Sequence, residues 1–136
     1  MGRKIKLRRL DIPPAGDISD DIEFICKSFG YFSLRDKQGT AGKIFQVLVE
    51  AASSGSNGLT SDEIAERLNL TRGAIVYHLN DFIDAGIVIR EKNIYRLRSS
   101  SLQRSIEEIM RDAQRIFDDM MKIAHDIDEQ LGNYYR

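Results

Sequence analysis

The 136-residue chain has no tryptophan, one cysteine, two histidines and two prolines. A single thiol, Cys26, can neither close an internal disulfide nor supply a thiolate cage. Two histidines are fewer than transition-metal sites usually require. No apolar run approaches the roughly 20 residues of a membrane-spanning helix. Residues 1–10 (MGRKIKLRRL) have the charge of a secretory signal but not the apolar stretch that should follow it. A nucleophile–base pair, a glycine-rich phosphate loop and a paired-carboxylate motif are all missing. The sequence therefore predicts a cytoplasmic, non-enzymatic protein with no cofactor, no metal and no membrane partner.

What is present is ordinary in amount and uneven in placement. A hydrophobic fraction of 42% with 30% charged residues is typical of a soluble globular protein. The length fits one domain, with an appended helix. Residues 1–10 hold five basic and no acidic side chains, and residues 11–37 hold three basic and six acidic. Residues 38–98 balance seven against seven, and residues 99–136 hold five basic and eight acidic. A neutral middle between acidic segments is not a non-specific nucleic-acid coat. Any DNA-binding surface must be local.

Three regions follow from the pattern. In residues 1–37, alternating charged and apolar side chains over 4–8 predict an extended arm or short strand. Pro13 and Pro14 break it, and Ile18, Ile22, Ile25 and Phe29 then recur at helical spacing between an Asp17 N-cap and Gly30. Cys26 lies beside that stripe, as a buried thiol would. In residues 38–98, a helix over 40–52 shows a broad apolar face of Ala41, Ile44, Phe45, Leu48, Val49 and Ala52. Thr60 and Glu63 form a capping box opening a short helix that Asn69 ends in a left-handed turn. Thr71 caps the next helix, whose inward residues are Ile75, Leu79, Phe82 and Ile83, and Gly86 stops it. Residues 87–91 and 94–98 then read as a β-hairpin around Lys92-Asn93. In residues 99–136, a stretch without Gly or Pro from 101 to 131 carries a seam of Leu102, Ile106, Ile109, Ala113, Ile116, Met120, Ile123 and Ile127. It alternates steps of four and three, a heptad pattern, and a second row that includes Phe117 widens it. The expected helix is about 45 Å long, more than one small domain can cover.

This order of elements resembles a winged helix-turn-helix, most closely over residues 60–98. TSDEIAERL (60–68) looks like the first helix of that motif, with Ala65 at the helix contact. LTRGAIVYHL (70–79) looks like the turn and recognition helix. DFIDAGIV (81–88) resembles the helix end and first wing strand of ArsR-like and MarR-like regulators. The resemblance implies a mainly α fold with a small β-hairpin wing, double-stranded DNA as partner and transcriptional regulation as function.

The residues support that expectation independently. Burying one face of the 71–84 helix leaves Thr71, Arg72, Gly73, Tyr77 and His78 towards solvent, and the N-terminal part of such a helix faces base edges in the major groove. Arg72 can donate twice to guanine or bind phosphate. Gly73 permits close approach, and Thr60 and Ser61 offer a hydroxyl and helix N-terminal amides to a phosphate. Arg90, Lys92, Arg96 and Arg98 make the hairpin cationic. His78 and Tyr77 also suit packing roles, and Arg8 or Arg9 suit a minor-groove arm. The seam, with Phe117, is read as a homodimer interface reading two half-sites about one helical turn apart.

Three alternatives stand beside this reading. A winged-helix module used only for protein assembly would also have the long seam and near-neutral charge. His125, Asp128 and Glu129 could share a helix face as metal ligands, although a solvated acidic helix end explains them better. Met110, Phe117, Met120 and Met121 could line a cleft for an apolar effector or simply pack; whether an effector exists is left open.

Overall fold

A computed structural model describes residues 7–30 and 39–132. Most of the 4–8 arm and all of 31–37 expected in the N-terminal region lie outside these. Residues 7–12 have no regular structure, and the Arg8 amide donates to the Ser28 carbonyl at 2.9 Å. α1 (Ile18–Ser28) starts at Asp17, whose carboxylate accepts from the Ser19 and Asp20 amides. It buries Ile22 and Cys26 while Ile18 stays exposed. α2 (Thr40–Ser53) buries Ala41, Ile44, Phe45, Val47, Leu48 and Ala51, so it is the central helix and takes α1 on one side.

The helix-turn-helix forms as its caps dictate. α3 (Ser61–Leu68) opens with the full reciprocal capping box of Thr60 and Glu63. Its C-cap, Asn69, adopts φ 53°, a left-handed turn that asparagine tolerates. α4 (Arg72–Ala85) starts at Thr71, whose hydroxyl accepts from the Ala74 amide, and ends at Gly86 with φ 86°. Ile75, Leu79 and Phe82 are completely buried, and the Phe82 ring lies 5.3 Å from that of Phe45 on α2. Burying each such ring contributes about 1.5–3 kcal/mol.

The wing has one strand more than the hairpin predicted. β1 (Leu59–Thr60) pairs antiparallel with β3 (Ile94–Leu97), which pairs in turn with β2 (Val88–Glu91), giving the order β1-β3-β2. Thr60 opposes Ile94, so the residue that caps α3 is also stitched to the wing. A two-residue strand has no periodicity to detect, which is why it was not legible. Its approach is permitted by Gly58, at φ 122°, where a β-carbon would meet Ile94 Cγ2 and the Tyr95 carbonyl oxygen at 2.6 Å.

α5 (Leu102–Gln130) starts at Ser101, whose hydroxyl accepts from the Arg104 amide. Its first turns join the core: Ile109 is buried, Leu102 and Ile106 pack against it, and Ser105 is completely buried. The seam therefore has two parts. Leu102, Ile106 and Ile109, expected as dimer contacts, serve the fold of their own protomer. Beyond Met110 the large apolar side chains are exposed. Met110, Phe117, Met120 and Met121 are all exposed on the surface of the helix. A concavity lies between the end of α2, the 55–58 loop and β3.

Gly58→Ala should destabilise the protein by about 2–4 kcal/mol, since both the positive φ and the contacts with backbone and Ile94 oppose a β-carbon. Urea unfolding should show this as a lower midpoint, and Gly55→Ala, at φ 78° but in open space, should cost less.

Candidate nucleic-acid interface

The surface of interest is built by the N-terminus of α4 and flanked by the wing. Thr71, Arg72, Gly73 and Tyr77 are all exposed, Tyr77 to 54%. Nothing lies within 4 Å of where a β-carbon would stand on Gly73, so this helix end presents bare backbone to solvent. Its first turn holds no acidic side chain. The amides there and the positive end of the helix dipole therefore attract anions with no carboxylate of the helix's own first turn to oppose them. His78 is half-buried and meets Tyr77 edge-on, with ring centroids 5.1 Å apart. The Tyr77–His78 pair thus shares packing with presentation.

The N-terminus of α3 is a poorer anion site. Ser61 is buried, and the Thr60 amide is already taken by the Glu63 carboxylate. Asp62 and Glu63 add two carboxylates to its first turn. Asp62 was not anticipated as part of the surface, yet its carboxylate lies 3.8 Å from Arg72 Nε, between exposed side chains. Such a contact is loose and readily exchanged for a stronger anion. The sequence signal for it was the acid inside the capping box, one turn from the helix crossing.

The wing cations are less available than their number implied. Arg90 donates from Nε to the Lys92 carbonyl at 2.7 Å, and its guanidinium lies 5.4 Å from the Tyr95 ring centroid. Arg96 is paired with Glu91 at 2.7 Å. Lys92 occupies the exposed hairpin tip at φ 58°. Arg98, expected with these as a phosphate ligand, points the other way. Its guanidinium reaches Asp112 at 2.6 Å and Glu108 at 3.2 Å on α5, and only 17% of the side chain is exposed. Hydrogen bonding to Asp112 raises the Arg98 pKa above its ordinary value, so it is a fixed cation of the scaffold. Arg98 stands just past the end of β3, so the alternation that exposes Arg96 no longer governs it, and the carboxylates of α5 lie within reach of its guanidinium. The sequence located the charge and not its partner fourteen residues on.

No cluster of three or more metal-ligating side chains occurs among the described residues. His125 is in ion-pair range of Glu129, at 3.7 Å on an exposed helix face. No helix among the described residues is long and apolar enough to cross a membrane.

With this geometry in place, the comparison with protein families is direct. Residues 45–99 match the model of the MarR family, a span running from mid-α2 through the wing. Over that span, about two fifths of the chain, the protein is similar to the MarR family, and its elements form a winged helix-turn-helix. No curated protein and no solved structure matches the chain.

Two carboxylates at this surface should respond to pH with opposite signs. Hydrogen bonds from the Thr60 backbone and hydroxyl hold the Glu63 pKa below its ordinary value. Its ionised form therefore adds stability above the unfolded pKa, lost as pH falls through the folded one. Burial raises the Asp81 pKa, with His78 opposing and Asp84 adding to it, so its ionisation costs stability at neutral pH. Glu63→Gln should lower the urea midpoint at about pH 7 and Asp81→Asn should raise it. Both differences should shrink towards about pH 4.

Proposed function

We propose that this protein is a sequence-specific, double-stranded-DNA-binding transcriptional regulator that acts as a homodimer in the cytoplasm. The observation that carries the reading is the solvent-open N-terminus of α4, which has no acidic residue in its own first turn and exposes Thr71, Arg72, Gly73 and Tyr77. In the major groove, Gly73 permits close backbone approach, and Arg72 exchanges Asp62 for guanine O6 and N7. Thr71 and Tyr77 contact the flanking phosphates or bases. The wing supplies phosphate contacts from Lys92, from Arg90 and from Arg96 once it releases Glu91. Thr60 and Ser61 contribute less, for the reasons their cap and burial give, and Arg98 acts indirectly by holding the wing to α5. Residues 38–98 thus hold DNA, the exposed part of 99–136 joins protomers, and α1 buttresses α2.

A single module of this size makes few contacts, so selectivity requires two copies on half-sites a whole number of helical turns apart. If each protomer neutralises about three phosphates, log K against log salt should have a slope of about −5. Selection of bound sequences from a random duplex pool at two salt concentrations tests the reading directly. Arg72→Ala should cost about 1–3 kcal/mol and relax preference at one base per half-site. Arg96→Ala should weaken all sequences alike and make the slope shallower by about one per protomer. Enrichment of no sequence, with a slope shallower than about −2, would rule the proposal out. Partner binding that survives both substitutions but is lost on changing the α5 seam would instead favour protein assembly as the function.

A further inference from the structure

The distal half of α5 is an apolar face that its own protomer leaves uncovered. Ile116, Phe117, Met120, Ile123 and Ile127 are 50–59% exposed, too large a contiguous stripe for a lone helix in water. We infer that its occupant is the same stretch of a second copy, running antiparallel and centred between Met121 and Lys122. The inference rests on the dimer proposed above and adds its direction and register.

The flanks of the seam decide the direction. Ala113, Met120 and Ile127 take the a positions and Ile116 and Ile123 the d positions. The e positions beyond the core are then all apolar, including Phe117, Ala124 and Leu131. The g positions Asp112, Asp119 and Asp126 are all acidic. In a parallel pair each g residue lies against an e residue of the other chain. Asp112 would face Phe117, Asp119 would face Ala124 and Asp126 would face Leu131, on both sides. Asp112 already holds Arg98 and Arg115, so the cost falls on Asp119 and Asp126: four carboxylates would lose water against apolar groups without gaining a partner across the pair.

Reversing one chain sets e against e and g against g. With Met120 opposite Ile123 of the second copy, and Ile116 opposite its Ile127, four apolar layers form. Phe117 then meets Ala124 of the second copy, extending the dry seam on one flank. On the other, Lys122 and Arg115, at c positions beside g, stand opposite Asp119 and Asp126 of the second copy and offset the acidic row. This register also maps residues 112–131 onto themselves. The overlap of about 30 Å begins just past Ile109, where the protomer's own cover ends, and runs to the end of the helix. The two Leu102 residues are then about 58 Å apart along the axis, which sends the winged modules to opposite ends of the pair. A parallel pair would bring them within about 10 Å.

Disulfide trapping without DNA tests this independently of the DNA reading. In the antiparallel register positions 117 and 124 adjoin across the pair, whereas within one helix they are about 10 Å apart and beyond disulfide reach. The Phe117→Cys/Ala124→Cys double variant should run as a covalent dimer under mild oxidation, and neither single variant should. Ile116→Cys should not crosslink, because its counterpart lies about 16 Å away along the axis; in a parallel pair it would. Crosslinking of Ile116→Cys, or a dimer in sedimentation that the double variant does not trap, would overturn the direction or register while leaving the dimer standing. A monomer in sedimentation would overturn both.

Discussion

The presentation of every residue at the candidate interface depends on one packing contact, the inner face of α4 against α2. Phe82 meets Phe45 with Ile75 and Leu79 completely enclosed beside them. With that face fixed, helical geometry leaves Thr71, Arg72 and Tyr77 no direction but outward. The turn at Asn69 then holds α3 across α4, and Gly86 releases the chain directly into the wing. Repacking this contact by one residue would rotate the exposed face by about 100° and bury the same groups. The site is thus a consequence of the core.

Electrostatics refine this surface and do not create it. Residues 38–98 are neutral overall, and three of the four wing cations already have acceptors or a ring inside the module. Such internal pairs are weak where exposed and strong where half-buried. That difference sorts Arg96, which can exchange Glu91 for a phosphate, from Arg98, held by two carboxylates with little solvent access. A module of this kind has little non-specific attraction to polyanions, so in the proposed complex selectivity would fall to the exposed N-terminal end of α4.

Most elements were legible because their ends carry chemistry. Asp17, Thr60, Thr71 and Ser101 each cap a helix with a side-chain oxygen, and Asn69 and Gly86 take the left-handed backbone their positions suggested. What escaped was non-local. β1 is too short to have a period and is defined by its pairing with β3. The partner of Arg98 lies on another element, and the split of the seam at Ile109 depends on how far the domain reaches along α5. Spacing reports which face is apolar, and only the fold reports what covers it.

That split has a mechanical consequence. Arg98 grips Glu108 and Asp112 from the end of β3, and Ser105, fully buried, accepts from the Ser99 amide at 3.0 Å while donating to the Ser101 carbonyl. The Arg98 amide in turn donates to the Ile87 carbonyl, just past the C-cap of α4. α4, the wing and α5 are therefore tied together by hydrogen bonds and ion pairs at each junction. A helix clamped in this way at its first turns and uncovered beyond them behaves as a lever. Whatever direction its exposed half takes against a partner fixes the angle at which the wing and α4 are held. In the proposed dimer, spacing between the two modules would be set by side chains on α5 that lie far from the exposed end of α4.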